Sequence, residues 1–170
     1  MLIDANLLLA LLAAAWPASD DERFTEDDWQ HALGGVHVLA EESGRILSHA
    51  SVVPRRIEVG GVLLRRGYVE AVATWADLER QGHGSAAMRE IDAIIQADYE
   101  PGALGTGAFA FYERLGWERW RGPTSVRTTG GLVRTPDDDG YMMVLRTPST
   151  PPGLDLDASI VCGWRPGDVW

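Results

Sequence analysis

The spacing of hydrophobic and polar residues along the chain predicts alternating strands and helices. Between residues 35 and 74, three apolar-polar runs are separated by the turns Ser43-Gly44 and Gly60-Gly61. Such runs with glycine turns are typical of antiparallel hairpins. Strict alternation puts one set of side chains of the third run on a common face: Val62, Leu64, Arg66, Tyr68, Glu70 and Val72.

Helical patterns flank and follow these strands. Thr25 precedes the acidic residues 26–28, which predicts an N-cap and a short helix that ends near Ala32. Residues 84–97 carry an apolar stripe at helical spacing. A short strand near Leu104 precedes a second short helix at about residues 107–115. Residues 117–147 predict further strands that are interrupted by TPDDDG, and the Pro- and Gly-rich tail from Thr147 predicts irregular structure.

The first residues, MLIDANLLLALLAAAW, are strongly apolar. No basic residue precedes this run, although a secretory signal requires one. The run is also too short to span a bilayer. We therefore expect a buried helix and no membrane segment, with a secreted protein as the less favoured alternative.

Charge and cysteine content narrow the possible partners and compartment. The 170-residue chain has 15 Lys and Arg against 25 Asp and Glu, a net charge of -10. An acidic chain disfavours nucleic acid, which is bound by neutralising phosphates. The charge favours a cationic partner or serves only as a solubilising surface. Cys162 is the single cysteine, so no intrachain disulfide is possible, and we expect a cytoplasmic protein.

The stretch ADLERQGHGSAAM, residues 76–88, places Gly82 and Gly84 at the start of the long helix. The N-terminus of a helix offers unpaired N–H groups and a partial positive charge, which suit a phosphate. A glycine-rich helix cap without a ligand is the alternative. The dinucleotide-binding fingerprint is rejected because a polar loop, not a strand, precedes the glycines.

The order of the elements, the glycine turn and the block AFAFYERLGW resemble the GNAT superfamily of acetyl-CoA-dependent N-acetyltransferases. In that superfamily an R/Q-x-x-G-x-G/A turn binds the coenzyme A pyrophosphate through backbone amides. Glu79 here occupies the position of the usual Arg or Gln. The resemblance implies that acetyl-CoA contacts the following residues: Val72, Arg80, Gln81, Gly82, His83, Gly84 and Ser85.

Further blocks look like those of the aminoglycoside 2'-N-acetyltransferases. They are FTEDDWQHALGG, RRGYVEAVA, RGPTSV, RTPDDDG and CGWRPGDVW. The resemblance implies that Glu70 is the general base, which acts on the acceptor amine through water. It also implies that Tyr112 protonates the departing thiolate and that the main chain of Val72 binds the acetyl carbonyl.

The same resemblance implies that acidic groups bind the cationic drug: Asp28, Asp138, Asp168 and the carboxylate of Trp170. Arg23 stands where relatives can carry an acid, a departure that would change the range of acceptors. A polycation suits recessed carboxylates by charge and by hydrogen bonding. The alternatives are a solvated turn at DDDG and a frayed C-terminal tail.

Glu70 and Tyr112, the two residues with implied catalytic roles, could instead have purely structural roles. Glu70 shares its predicted strand face with Arg66, so it could be a surface carboxylate in an ion pair. Tyr112 could be a half-buried core aromatic. Direct transfer needs no acyl-enzyme, so we do not expect Cys162 to be a nucleophile. The histidines lack metal-ligand spacing, and we expect no metal site.

We therefore expect one α/β domain over residues 1–170 with a GNAT fold, a mixed and mostly antiparallel central sheet flanked by helices. We expect a homodimer from the family resemblance. Two alternative functions remain: a GNAT enzyme for another cationic amine, and a non-catalytic acyl-CoA-binding module.

Overall fold

The computed structural model describes residues 5–16 and 24–170, which form two compact units. The first unit comprises the described residues up to Val53 together with Val69–Ile91. The second unit comprises Pro54–Tyr68 and Asp92–Trp170. Arg23, which is predicted to change the range of acceptors, lies outside the described residues.

The elements that contribute to the first unit follow the predicted order. They are α1 (Ala5–Ala15), α2 (Glu26–Ala32), β1 (Val36–Glu42), β2 (Arg45–Val59), β3 (Val62–Thr74) and α3 (His83–Asp98). Strands β2 and β3 and helix α3 also contribute residues to the second unit. Among the described residues, no strand precedes Val36.

Helix α1 is the buried helix that the apolar N-terminal run predicts. Leu8, Leu11 and Leu12 are buried in one cluster with Ile46 and Ala73. Burial of leucine side chains of this kind contributes about 1.5–3 kcal/mol each to folding. Within the described part of the chain, no helix is both long enough and apolar enough to cross a membrane.

Helix α2 begins where the acidic first turn predicts. Thr25 is the N-cap, and its backbone N–H donates to Asp28 Oδ2 over 2.7 Å. The Asp28 backbone N–H donates in return to Thr25 Oγ1 over 3.3 Å. This reciprocal capping box satisfies backbone donors that would otherwise have no partner at the helix start.

The hairpin of β1 and β2 contains a register shift. Glu42 pairs with Arg45 and Glu41 with Ile46, but beyond the irregularity Ala40 pairs with Ser48. Leu47 is thus the extra residue on β2. A one-residue shift moves every later side chain of one strand to the opposite face relative to its partner.

The second unit contains most of the sheet. Its further elements are β4 (Pro101–Gly105), α4 (Phe109–Glu113), β5 (Glu118–Arg119), β6 (Thr124–Thr128), β7 (Gly131–Arg134), β8 (Met142–Arg146) and β9 (Ile160–Gly163). The strand order is β5-β8-β4-β3-β2-β9-β6-β7. Strands β3 and β4 pair in parallel, as do β6 and β9. Strand β8 pairs antiparallel with β4 and with β5, and β6 pairs antiparallel with β7. The sheet is therefore mixed, as predicted.

The prediction of an irregular tail is wrong for Ile160–Gly163. These residues form β9, which pairs antiparallel with β2 and parallel with β6. Ile160, Val161 and Cys162 are buried in consequence. A run of only four residues between Pro- and Gly-rich stretches gives little periodic signal, and its long-range partners decide its conformation.

Candidate active site

A left-handed residue interrupts strand β3 beside Glu70. Leu64, Arg66 and Tyr68 are buried, but Ala71 has a φ of 52°. A non-glycine residue in this conformation is rare and breaks the two-residue repeat of a strand. The predicted strict alternation through Val72 is therefore wrong beyond Glu70.

Two side chains of β2 bind the carbonyl groups of this irregular segment. Ser51 Oγ donates to the Glu70 carbonyl over 3.0 Å, and His49 Nδ1 lies 2.7 Å from the Ala71 carbonyl oxygen. Both His49 and Ser51 are fully buried. Side-chain donors thus hold two consecutive carbonyl groups at the point where β3 departs from regular geometry.

His49 also contacts a second histidine. His37 Nδ1 lies 2.9 Å from His49 Nε2, and the His37 ring is close to that of Trp29, with ring centroids 6.0 Å apart. Burial lowers the pKa of His49 to about 4, against the opposing effect of its bond to Ala71. Burial also lowers the pKa of His37, although a hydrogen bond with the Ala32 backbone raises it. Both rings are therefore neutral above pH 7.

The glycine turn leads directly into the N-terminus of α3. Arg80 has a φ of 60° and Gly82 a φ of 93°, and a Cβ atom on Gly82 would meet nothing within 4 Å. Gln81 Nε2 donates to the Asp77 carbonyl over 2.9 Å and so braces the loop. His83, Gly84 and Ser85 form the half-exposed first turn of α3. These residues present the open backbone that the sequence predicts.

Tyr112 on α4 is buried beside two other aromatic residues. Its ring is T-shaped against Phe111, with centroids 4.9 Å apart, and lies 6.1 Å from Trp117. Burial raises the pKa of Tyr112 well above its usual range, and the negative charge of Asp92 raises it further. The phenol therefore keeps its proton at neutral pH. The core-aromatic alternative accounts for this burial, and the role of Tyr112 as a proton donor stays a prediction.

Asp138 and Asp168 lie close enough to influence each other. Burial raises the pKa of Asp138, a hydrogen bond with Thr135 lowers it, and the negative charge of Asp168 raises it again. Thr135 Oγ1 also accepts a hydrogen bond from the Trp170 indole over 3.0 Å. The structure therefore brings three of the predicted acceptor-binding residues into one neighbourhood: Asp138, Asp168 and Trp170.

The neighbouring Asp139 has a different environment. Its Oδ1 accepts from the Thr124 backbone N–H over 2.8 Å, and its Oδ2 accepts from Arg134 Nη2 over 2.7 Å. The bond with Arg134 holds the pKa of this carboxyl far below its usual range. Asp139 thus fixes the DDDG turn, which is not merely a solvated loop.

The C-terminal residue is docked and not frayed. Trp170 is buried, and its backbone N–H donates to Asp168 Oδ1 over 3.1 Å. Arg55 Nη2 donates to the Val169 carbonyl over 2.9 Å.

Arg66, the alternative ion-pair partner of Glu70, is fully buried. Its guanidinium carbon lies 4.2 Å from the centroid of the Tyr68 ring and 5.4 Å from that of the Trp170 ring. Its guanidinium nitrogens have no hydrogen-bond partner among the described residues, so its contacts with these rings are cation–π.

Other candidate residues have local roles. The Asp28 carboxylate caps α2 through Thr25, and an acceptor-binding role for Asp28 stays a prediction. Cys162 is buried, which raises the pKa of its thiol, and its Sγ lies 3.3 Å from the Val169 carbonyl oxygen. The described residues contain no group of three His, Cys, Asp or Glu side chains that could hold a metal ion.

The sequence does not point to the contacts of His37, His49 and Ser51 with the segment beside Glu70. A regular hairpin with its turn at Ser43-Gly44 would pair Val38 with His49 and would place His37 on the other face. The register shift instead pairs Leu39 with His49 and His37 with Ser51. An irregularity of this kind leaves no marker in the sequence.

Comparison with known proteins identifies the family. The family model described as "Acetyltransferase (GNAT) domain" matches residues 4–120. The chain is also 43% identical over 151 residues to an aminoglycoside 2'-N-acetyltransferase of Mycolicibacterium fortuitum, an alignment that covers 86% of this chain and 77% of that protein.

The chain belongs to the GNAT acetyltransferase family. The predicted family and fold are thereby confirmed, and the protein is an acyltransferase. Solved structures agree on the fold. A GNAT family N-acetyltransferase of Escherichia coli in complex with CoA superposes with a TM-score of 0.66 and 17% identity, over 95% of this chain and 86% of that one.

A GCN5-related N-acetyltransferase of Kribbella flavida superposes with a TM-score of 0.58 and 17% identity over 70% of this chain. The chain spans only 31% of that larger protein. At these identities the two structures show the shared fold alone.

GNAT acetyltransferases use acetyl-CoA, and the residues of this chain fit it. The open space at Gly82 allows a bulky anion to approach the backbone. The first N–H groups of α3 lack partners within the helix and favour negative charge. Arg80 is a basic residue in the same turn, and Glu79 stands at the usual position of Arg or Gln.

Proposed function

We propose that this GNAT enzyme transfers acetyl from acetyl-CoA to the 2'-amine of an aminoglycoside. The observation that carries the proposal is the 43% identity to the M. fortuitum aminoglycoside 2'-N-acetyltransferase. The interaction between the charges of Asp138 and Asp168 agrees with it, because neighbouring negative charges favour a cationic ligand.

We propose that the acceptor is bound by the acidic neighbourhood of the second unit. Asp138, Asp168 and the carboxylate of Trp170 accept hydrogen bonds from its ammonium groups, and the bond from the Trp170 indole to Thr135 supports the position of this residue. Burial and, to a smaller extent, the charge of Asp168 raise the pKa of Asp138, and a bound cation favours its charged form. Asp28 adds a further acidic contact in this proposal.

In the first unit, the backbone N–H groups from Gly82 to Ser85, together with Arg80, bind the pyrophosphate, and Gln81 and His83 shape the turn around it. When bound, acetyl-CoA supplies the acetyl group as a reactive thioester. The Val72 backbone N–H donates to the acetyl carbonyl oxygen, where negative charge develops during transfer. Val72 directly follows the left-handed Ala71, so the bulge determines the direction of this N–H group.

Glu70 takes a proton from the acceptor amine through one water molecule. An alkyl ammonium has no lone pair to attack a thioester, so removal of this proton is a precondition for reaction. The amine nitrogen then bonds to the acetyl carbon, and the carbon–sulfur bond breaks. Tyr112 donates its proton to the departing thiolate; its phenol is protonated at neutral pH, although its raised pKa makes it a weaker acid than an exposed tyrosine.

Three further features complete the proposal. We propose one functional domain over residues 1–170, a homodimer and a cytoplasmic location, as family resemblance and the single cysteine suggest. Light scattering of the purified protein tests the homodimer. A monomer at assay concentration would contradict it.

The alternative acceptor is another cationic amine, because Asp138 and Asp168 suit any polycation. The non-catalytic alternative is rejected, since the chain belongs to an acetyltransferase family.

The proposed acceptor is tested by incubating the enzyme with acetyl-CoA and kanamycin B and locating the new acetyl group by two-dimensional NMR. We expect the acetyl group on the 2'-nitrogen. Acetylation of a different nitrogen would overturn the assigned position, and no product would overturn the aminoglycoside class.

A further inference from the structure

A line of polar contacts crosses three strands of the first unit and ends beside Glu70. His37 on β1 contacts His49 on β2 over 2.9 Å, and His49 contacts the Ala71 carbonyl on β3 over 2.7 Å. His37 pairs with Ser51, and Leu39 pairs with His49, so the two histidines share one face of the hairpin.

The acceptor at the end of this line fixes the proton positions. A carbonyl oxygen only accepts, so His49 Nδ1 carries a proton and donates it to Ala71. In a neutral ring the His49 Nε2 atom is then an acceptor, so the 2.9 Å contact is a hydrogen bond in the form of His37 that carries a proton on Nδ1. The Ala71 carbonyl therefore selects the tautomer of His49, and His37 contacts the opposite nitrogen of that ring.

The bulge requires such support. Ala71 holds a φ of 52°, which an L-residue adopts only when its surroundings impose it. The Glu70 and Ala71 carbonyl groups accept side-chain hydrogen bonds from Ser51 and His49. His49 and Ser51 are buried and alternate on β2, so they contact β3 from one strand face.

We propose that His49, oriented by His37, is a positioning residue that holds the Ala71 bulge and thereby directs the Glu70 carboxylate and the Val72 N–H group. This inference rests on the proposed function, in which those two groups act on the amine and on the acetyl carbonyl. Bulges beside active sites commonly redirect a side chain in this way. A small misplacement of reacting groups lowers turnover more than it lowers substrate binding.

The first test compares His49→Leu with His49→Asn, in which the amide nitrogen replaces the Nδ1 donor. We expect His49→Leu to lower kcat by about 100-fold, with the KM values for acetyl-CoA and acceptor within about twofold of wild type. We expect His49→Asn to restore most of the lost kcat. Ser48→Ala is the matched control, because Ser48 is equally buried on β2 and its Oγ has no hydrogen-bond partner among the described residues.

A folded His49→Leu enzyme with wild-type kcat would overturn the inference, as would a His49→Asn enzyme no better than His49→Leu. If His49→Leu does not fold, NMR of the wild-type enzyme decides. A slowly exchanging ring N–H signal on His49 Nδ1 that is altered in His37→Gln supports the inference. Absence of that signal overturns it.

Glu70→Gln, assayed in parallel, separates this inference from the proposed mechanism. Wild-type turnover of Glu70→Gln would reject Glu70 as the base and with it the reason for positioning. Loss of turnover in Glu70→Gln with retention in His49→Leu would reject the positioning role alone.

Discussion

The Trp117 indole Nε1 donates to Asp92 Oδ1 over 3.1 Å in the core of the second unit. Burial raises the pKa of Asp92 to about 6, although the bond from Trp117 lowers it. Burial raises the pKa of Tyr112, and the Asp92 charge raises it further. The charge state of a partly buried carboxylate is thus coupled to the acidity of the proposed general acid.

This relationship predicts an unusual dependence of stability on pH. Folded Asp92 binds its proton up to about pH 6, while the unfolded carboxyl releases it near its ordinary pKa of 3.8. Its contribution to stability is therefore present below pH 3.8 and is lost as pH rises through 6. We expect Asp92→Asn to remove this loss and to be more stable at pH 7.5 by about 1 kcal/mol, after allowance for solvent screening.

Urea unfolding at several pH values between 4 and 8 checks this prediction. Asp98→Asn is the control, because it removes an exposed carboxylate from the same helix. Parallel stability curves for wild type and Asp92→Asn would show that the Asp92 pKa is not raised by folding.

Substitutions of Asp138 and Asp139 in the DDDG turn should have different effects. Asp139→Asn removes the charge-assisted bond with Arg134 and weakens the contact with Thr124, so we expect the Tm to fall by about 2–4 °C. Asp138→Asn removes a proposed ligand of the acceptor, so we expect its acceptor KM to rise about tenfold with an unchanged Tm. Thermal unfolding and steady-state kinetics of both variants provide the comparison. If Asp138→Asn lost stability and retained its acceptor KM, the proposed division of roles would be reversed.

The histidine pair predicts a loss of stability in acid. The pKa of His49 is about 4 in the folded protein, against 6.5 ordinarily, so the unfolded chain binds the extra proton first. Stability from this group is complete above pH 6.5 and is lost as pH falls through 4. The full loss amounts to about 3 kcal/mol. We expect this acid-dependent loss to be smaller in His49→Asn, since only His37 of the pair then titrates.

Chemical denaturation of wild type and His49→Asn from pH 4 to 8 measures the difference in slope. The same loss of stability in both proteins would exclude a lowered pKa for His49. This measurement does not depend on acetyl transfer.

The turn before α3 predicts a specific defect in acetyl-CoA binding. Gly82→Ala forces an L-residue to a φ of 93°, which costs about 1–2 kcal/mol in the observed backbone conformation. We expect the KM for acetyl-CoA to rise about tenfold, with the acceptor KM unchanged. Gly44→Ala is the matched control, because Gly44 also has a positive φ and open space around its Cβ position. Equal kinetic effects of both substitutions would argue against a cofactor contact at Gly82.

Local signals in the sequence predicted much of the fold. The glycine turns predicted the turns between β1 and β2 and between β2 and β3. Thr25 and the acidic residues after it predicted the start of α2. Asp138, Asp168 and Trp170 were predicted from family resemblance, and the structure places them in one neighbourhood. Their binding of an aminoglycoside stays a prediction.

The missed features are those that depend on distant contacts. The left-handed Ala71 has no glycine or asparagine to indicate it, and the contact with His49 that holds it comes from another strand. The register shift after Ala40 brings His37 and His49 onto one face, although local alternation places them on opposite faces. Strand β9 forms because β2 and β6 offer it partners on both sides.

The most direct test of the central claim compares two nearly identical acceptors. Kanamycin B carries an amine at the 2' position, whereas kanamycin A carries a hydroxyl there. CoA release with acetyl-CoA and each drug is followed with a thiol reagent. Transfer to the 2'-amine predicts rapid release with kanamycin B and little with kanamycin A. Equal rates with both drugs, or no release with either, would contradict it.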